Sequence, residues 1–145
     1  MQTVVSEISS IGMINYVYTD GTGRNHYYAD YENIGIYINN FDSDTKLTID
    51  SNNLITITDK ANNRIKFDSL GRLNSMIDSN NNQLQVVYNP SGLISTITDG
   101  ANRATQLIYS SNYLTSILKP NGLSIYFNYQ TAGAIKNLVF SFKKV

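Results

Sequence analysis

Hydrophobic and polar positions along the chain repeat with a period of about 21 residues. Phe67, Tyr88, Tyr109 and Tyr129 follow one another at intervals of 21, 21 and 20 residues, and a glycine, apolar positions and an aspartate recur between them in the same order. Self-similarity at one fixed period is the sequence signature of a repeat protein. The sequence therefore predicts a tandem array.

Each repeat contains two short segments with the alternation of a β-strand. One segment follows the glycine and the other leads to the aromatic residue, which predicts one hairpin per repeat. The first strands are predicted at Leu73–Ile77, Ile94–Thr98 and Leu114–Leu118, and the second strands at Gln83–Tyr88, Arg103–Tyr109 and Ser124–Tyr129. At a period of two residues the aromatic side chains share one face of the sheet with Leu84, Val86, Leu107 and Phe127. The predicted fold class is all-β.

The array does not cover the whole chain. A degenerate unit at Ile49–Asp59 places the start of the array near residue 46, so residues 46–145 carry about four units, the last incomplete. Residues 1–45 do not follow the period. They are predicted to form a separate β-hairpin segment, with a glycine-rich turn at Asp20–Gly23 between Ile14–Tyr18 and His26–Tyr28, and a further strand at Ile34–Ile38.

Turn residues separate the predicted strands. Asparagine occurs 19 times, in runs such as Asn52–Asn53, Asn62–Asn63 and Asn80–Asn82. Asparagine side chains bond to their own backbone and tolerate positive φ, which suits turns. Glycine adopts positive φ without steric cost, and Gly71 and Gly92 are expected at positive φ in the turns between units. The repeat aspartates at the strand ends are interpreted as turn formers rather than acid–base residues: Asp59, Asp78 and Asp99.

The composition of the chain excludes several classes of function. The chain has 11 basic and 11 acidic residues, no cysteine and one histidine, His26. Zero net charge argues against nucleic-acid binding, and the absence of cysteine removes thiolate nucleophiles and cysteine metal sites. No stretch approaches the length of a membrane span. We expect no enzymatic activity, no metal site and no cofactor.

Three sets of polar residues are candidate sites. His26 has Asp20 and Asp30 nearby, but both aspartates fit turn positions better than a catalytic role. Asp42-Ser43-Asp44 followed by Asp50 resembles a calcium loop, yet it lacks the glycine and the terminal glutamate, so an Asx turn is favoured. A glycan hydrolase is the weakest hypothesis, because only Glu7 and Glu32 accompany the turn aspartates.

Tyrosines are the main binding candidates. The ladder of Tyr88, Tyr109 and Tyr129 could stack on sugar rings, but the aliphatic residues on the same face favour a structural role. If carbohydrate binds, tyrosines outside the array are equally eligible: Tyr16, Tyr18, Tyr27, Tyr28, Tyr31 and Tyr37.

The pattern Tyr-Asp/Asn-x-x-Gly-x-Leu-x-x-Ile-x-Asp, as in Tyr88–Asp99, resembles the YD repeats of the RHS and teneurin families over residues 46–138. Residues 17–28 are similar to the segment before the repeats in wall-associated RHS proteins of Gram-positive bacteria. The resemblance implies a twisted, spiral antiparallel sheet and an extracellular or cell-surface location.

The same resemblance implies a scaffold function. The chain would be a segment of a shell that encloses a C-terminal toxin, with neighbouring repeats and the toxin cargo as partners. The alternative is a carbohydrate-binding or adhesion module with a glycan partner. About four units are too few to close a shell, so the chain is interpreted as part of a longer protein. Its end strands would be bare edges, which predicts a homo-oligomer through edge strands or an N-terminal hairpin folded over one end as a cap.

Overall fold

All regular secondary structure is β-strand. The computed structural model describes residues 2–8, 14–30, 34–39, 44–129 and 135–142, and these residues contain no helix. The strands as far as residue 77 are β1 Thr3–Ile8, β2 Ile14–Thr19, β3 Asn25–Ala29, β4 Ile36–Asn39, β5 Thr45–Ile49, β6 Ile55–Asp59, β7 Arg64–Phe67 and β8 Leu73–Ile77. The later strands are β9 Gln83–Tyr88, β10 Ile94–Thr98, β11 Ala104–Ser110, β12 Tyr113–Leu118, β13 Leu123–Tyr129 and β14 Ile135–Phe142.

The chain divides into two compact units, residues 1–83 and 84–145. In the first unit β1 to β8 pair in chain order, each strand antiparallel to the next. In the second unit β9 to β14 do the same. The predicted all-β fold of tandem antiparallel hairpins is therefore confirmed. The spiral course of the sheet and the boundary at residues 45 and 46 stay predictions.

Three strands agree with the prediction to the residue, and the other predicted strands differ by one or two residues at their ends. β8, β9 and β10 begin and end at the predicted residues. β11 begins at Ala104 rather than Arg103, because the Arg103 N–H is held by the side chain of Asp99 at 3.0 Å. β4 begins at Ile36 rather than Ile34, because the Asp30 carboxylate accepts hydrogen bonds from the N–H groups of Ile34 and Gly35.

One turn geometry recurs between the strands. In the turn at residues 59–63 the Asp59 N–H donates to the Asn63 carbonyl, and the Asn62 N–H donates to the Asp59 carbonyl, both at 3.0 Å. Such loops suit tight hairpins, but the fourth residue must adopt positive φ. The same pair of bonds closes the turns that begin at residues 20, 50, 68, 78, 89, 99 and 119. The fourth residues lie at φ 59–87: Gly23, Asn53, Asn62, Gly71, Asn81, Gly92, Asn102 and Gly122. The predicted positive φ of Gly71 and Gly92 is confirmed.

A bulge accompanies the aromatic residue of each repeat. Phe67 pairs with Leu73, Tyr88 with Ile94, Tyr109 with Leu114 and Tyr129 with Ile135, and the strand register shifts beside each pair. A bulge bends its strand and increases the local twist. The aromatic residue thus marks a bend in the sheet as well as a position on its face.

A cluster of buried apolar side chains lies in the first unit. It joins Val4, Tyr18, Tyr28, Leu47, Ile55, Ile57 and Phe67, and Phe67 and Leu47 are completely buried. Tyr18 of β2 meets Phe67 of β7 with ring centroids 5.6 Å apart. The residues before the array therefore pack against the first repeat aromatic, and the two stretches share one core.

β1 also meets the β7–β8 turn directly. The Val4 N–H donates to the Gly71 carbonyl at 3.0 Å, and Thr3 forms an isolated antiparallel bridge with Arg72. Strand β1 was not predicted. Its contact with Gly71 joins residues far apart in sequence, so no local sequence pattern predicts this contact.

Fewer apolar side chains are buried in the described part of the second unit. Among its described residues Val86 is the one buried apolar side chain, whereas Val87, Ile108 and Tyr126 are 42–45% exposed. Val86, Ile97 and Thr105 share the ladder face, and Leu107, Ile117 and Ile125 continue it. The opposite face carries exposed polar and apolar residues, among them Gln85, Val87, Gln106 and Ile108.

Candidate functional site

The turn aspartates use their carboxylates to hold the backbone of their own turns. Asp59 Oδ1 accepts hydrogen bonds from the N–H groups of Ala61 at 2.9 Å and Asn63 at 2.8 Å, and its Oδ2 accepts one from Asn63 Nδ2 at 2.7 Å. Asp78 makes the same set of bonds with Asn80 and Asn82. These carboxylates are fully used within the turn, which confirms that the two residues are turn formers.

Arginine replaces asparagine as the closing residue in two other turns. Asp99 accepts hydrogen bonds from the Ala101 and Arg103 N–H groups and from Arg103 Nε at 2.8 Å. Asp68 has the equivalent bonds from Leu70 and Arg72, with Arg72 Nη2 2.7 Å from its Oδ2. Asp99 is thus confirmed as a turn former, and Asp68 belongs to the same class, although the sequence analysis did not single it out.

Hydrogen bonds to these carboxylates favour their charged form. The bond from Asn63 holds the pKa of Asp59 below its ordinary value of 3.8, and the bond from Arg103 does the same for the pKa of Asp99. Burial acts to raise the pKa of Asp68, but the hydrogen bonds from Arg72 outweigh it and leave that pKa lowered. A carboxyl with a lowered pKa is a poor proton donor or acceptor near neutral pH. The turn carboxylates are therefore held in their charged form, in which both oxygens accept hydrogen bonds.

His26 lies beside Asp20, as the sequence suggested. Its Nε2 is 3.0 Å from Asp20 Oδ2, and its ring stacks on Tyr18 with centroids 5.4 Å apart. Asp20 Oδ1 accepts hydrogen bonds from the Thr22 hydroxyl at 2.6 Å and from the N–H groups of Thr22 and Arg24. The bond with His26 is the main cause that lowers the pKa of Asp20. Among the described residues, the hydroxyl that bonds to the His26–Asp20 pair is that of Thr22. It donates to the aspartate and not to the imidazole, so histidine does not activate it as a nucleophile in this geometry.

No cation site is built from the carboxylates that the structure describes. Asp50 accepts hydrogen bonds from the N–H groups of Asn52 and Leu54, which makes it an Asx turn as predicted. Asp44 pairs instead with Lys60 Nζ at 2.5 Å. Asp42 and Ser43 lie outside the described residues, and no group of three metal-ligating side chains occurs in the described part of the chain.

The tyrosine ladder is tied to the backbone of the sheet. The Tyr109 hydroxyl donates to the Ile94 carbonyl at 2.8 Å, and the Tyr129 hydroxyl donates to the Leu114 carbonyl at 2.7 Å. Both rings are half-buried, as is that of Tyr88, and burial raises the pKa of Tyr109. Each hydroxyl therefore links the two strands of its own hairpin, β10 with β11 and β12 with β13, which fits the structural role favoured by the sequence.

Most tyrosines before the array belong to the core. Tyr28 is 1% exposed, and Tyr18 has its pKa raised to about 12, mainly by burial. Tyr16 packs edge-on against Tyr37, with ring centroids 4.8 Å apart. Tyr27 is 36% exposed, and Tyr31 lies outside the described residues.

The two glutamates considered for a glycan hydrolase are not brought together in the described residues. Glu7 of β1 pairs with Asn15 of β2, and Glu32 lies outside the described residues.

The clefts of the first unit differ in charge. One of about 410 Å³ near the turn at residues 59–63 is lined by charged residues that include Asp44, Lys46 and Lys60. Another, of about 470 Å³, lies between β1 and the turns at residues 50–54 and 68–72. Its lining is uncharged: Val4, Val5, Ser6, Tyr16, Ile49, Asn53, Ile55, Ser69, Leu70 and Gly71. β1, which forms one wall of this cleft, was not predicted from the sequence.

Comparison with known proteins adds no assignment. The sequence matches no protein-family model and no curated protein. In the described part of the chain no helix has the length and apolar character needed to cross a membrane. Functional proposals therefore depend on the residue pattern and on the geometry of the turns, the ladder and the clefts.

Proposed function

We propose that the chain is an architectural β-sheet segment of a secreted or cell-surface protein of the RHS or YD-repeat type, and part of a shell that encloses a C-terminal toxin. The supporting observation is that one turn geometry closes the hairpins from residue 50 to residue 123, apart from a two-residue turn at Ser111–Asn112. Repeat proteins are stabilised within units and between neighbours. The carboxylates of Asp59, Asp78 and Asp99, which could otherwise bind a ligand, accept hydrogen bonds that close the turns.

The ladder supports the same proposal. Tyr109 and Tyr129 each contact a carbonyl fifteen positions earlier, so the same contact recurs one period later. A side chain that repeats its internal contact at each period serves the array and not one binding site. Neighbouring repeats and the toxin cargo are the proposed partners.

Removal of one whole period tests the architectural role. Deletion of residues 89–109 removes β10 and β11 and joins Tyr88 to Ser110, so strand direction is preserved. We expect the shortened protein to keep its β circular dichroism and a cooperative unfolding transition. The matched control deletes residues 89–98, which places β11 directly beside β9 and removes the Tyr88–Ile94 pairing, so it should be less stable than the whole-period deletion. Failure of both deletions would contradict the architectural proposal.

The surrounding reading frame tests the shell itself. Many further repeats followed by a separate C-terminal domain would support a shell with cargo. A short gene without further repeats or such a domain would contradict the enclosure of a toxin, and the architectural role alone would stand.

A carbohydrate-binding or adhesion module is the second candidate. Tyr113 and Tyr126 are 50% and 42% exposed, and Tyr113 lies 5.2 Å from Tyr129 between ring centroids. Exposed aromatic faces can stack on sugar rings. A glycan array probed with the wild type, Tyr113→Ala and Tyr126→Ala tests this candidate, and a hit lost in folded variants would favour it over a purely architectural role.

A further inference from the structure

The outer edge of β1 carries backbone groups beyond its contact with Gly71. In the antiparallel β1–β2 ladder Val4 pairs with Tyr18 and Ser6 with Tyr16. The Val4 N–H points away from β2, since it donates to the Gly71 carbonyl. Residue pairs alternate between hydrogen-bonded and non-hydrogen-bonded types, so Ser6 has the same orientation as Val4. The N–H and C=O of Ser6 are therefore directed to the outer edge.

The uncharged cleft lies at this edge. Ser6 lines it on one side, and Ser69, Leu70 and Gly71 line it on the other. The ladder that begins at Thr3–Arg72 and Val4–Gly71 thus opens into a cleft of about 470 Å³ as it proceeds along β1. This volume lies in the range of ordinary binding sites.

Aliphatic side chains surround the cleft. Leu70 is 72% exposed and Val5 is 53% exposed, whereas Ile55 is buried in the core cluster and Ile49 packs against that cluster. A large aliphatic side chain that is mostly exposed beside a concave surface gains from being covered by a partner. Among the residues that the structure describes, the lining offers no charged side chain to pair with a charged group.

We propose that the outer edge of β1 from Ser6 onward binds an extended peptide strand of a partner protein, with an uncharged aliphatic side chain in the cleft. Strand addition to an open edge supplies main-chain hydrogen bonds, and pockets for alternate side chains supply specificity. The bonded contact of β1 with Gly71 favours this occupant, because a peptide strand would continue the same ladder. The inference is independent of the proposed scaffold function.

The test selects phage-displayed random short peptides on the full chain. We expect enriched peptides to have aliphatic residues at alternate positions and to slow amide exchange at Ser6. Ser6→Pro removes the edge N–H without removing a bond to β2, and should weaken binding about tenfold, as for one lost backbone hydrogen bond. Ser6→Ala keeps the N–H and should bind as wild type does.

A second variant guards against misfolding of the proline protein. Ser69→Trp should fill the cleft from an exposed turn position and abolish binding. Lys60→Trp, beside the charged cleft, is its matched control and should bind normally. Absence of enrichment, unchanged binding to both Ser6→Pro and Ser69→Trp, or enrichment of charged peptides would each overturn the proposal. Displacement of the peptides by neutral oligosaccharides would do so as well, since it would identify the cleft as a sugar site.

Discussion

Gly71 lies against the backbone of Val4, and a Cβ atom at Gly71 would approach the Val4 carbonyl oxygen to 2.0 Å. Gly71 also has φ 71 and accepts the hydrogen bond from the Val4 N–H. Two independent requirements, positive φ and a close backbone approach, therefore select glycine at this position. Through this contact one turn of the array holds the strand at the beginning of the chain.

Gly71→Ala should destabilise the protein more than Gly35→Ala does. Both glycines have positive φ, but an added Cβ at Gly35 has nothing within 4 Å. We expect Gly35→Ala to lower the free energy of unfolding by about 1 kcal/mol, from backbone strain alone. Gly71→Ala should lower it by about 3 kcal/mol, because β1 must also move. Chemical denaturation measures both, and equal losses would contradict the close contact.

Asp68→Ala should destabilise the β7–β8 turn, whereas Asp68→Asn should be mild. Asp68 Oδ1 accepts the N–H groups of Leu70 and Arg72. Asparagine keeps that acceptor, and the equivalent Asn89 already binds the N–H groups of Ser91 and Leu93. We expect a loss of about 1 kcal/mol for alanine, comparable with loss of a helix cap, and less than half of it for asparagine. Indistinguishable unfolding curves for the two variants would contradict this role.

Acid should destabilise the protein through its turns. The pKa values of Asp59, Asp68, Asp78 and Asp99 are lowered below 3.8 in the folded chain. A lowered folded-state pKa contributes stability that is present above the unfolded-state pKa and is lost as the pH falls through the folded-state value. The melting temperature should therefore decrease on acidification below about pH 5.

Thermal unfolding between neutral pH and about pH 3 checks this expectation. The control replaces Asp59, Asp78 and Asp99 together by asparagine, which keeps an acceptor in each turn but removes the titration. Its melting temperature should depend less steeply on pH. An equal slope for wild type and the triple variant would show that other groups cause the acid sensitivity.

Local features of the fold could be predicted from the sequence, and its long-range contacts could not. Alternation and turn residues located β8, β9 and β10 to the residue, because strand and turn propensities agree there. The turn at Asp68 repeats the geometry of Asp59, but it falls between the aspartates that the 21-residue period marks. β1 and its cleft depend on a contact between Val4 and Gly71, for which neither segment carries a local signal.

Tyr109→Ala should destabilise the second unit more than Tyr126→Ala. The Tyr109 ring is half-buried on the ladder face and its hydroxyl binds the Ile94 carbonyl, whereas Tyr126 is 42% exposed. We expect a loss of about 2 kcal/mol for Tyr109→Ala, somewhat below that of a fully buried aromatic residue, and of about 0.5 kcal/mol for Tyr126→Ala. Tyr109→Phe should lose about 1 kcal/mol through the hydroxyl alone. Equal effects of the two alanine variants would argue against a structural ladder.

The last strand should promote self-association. β14 pairs with β13 from Leu123–Phe142 to Tyr129–Ile135 and is the last strand of the sheet among the described residues. Its sequence, Ile-Lys-Asn-Leu-Val-Phe-Ser-Phe, is largely apolar. A long apolar edge strand is a template for pairing with another chain. Light scattering over a range of concentrations should show a dimer whose fraction increases with protein concentration. Val139→Pro should abolish this dimer. Ser69→Pro is the control, because proline already occupies the equivalent turn position at Pro90 and Pro120, and it should leave association unchanged. A strict monomer at high concentration, with rapid amide exchange along β14, would contradict pairing at this edge.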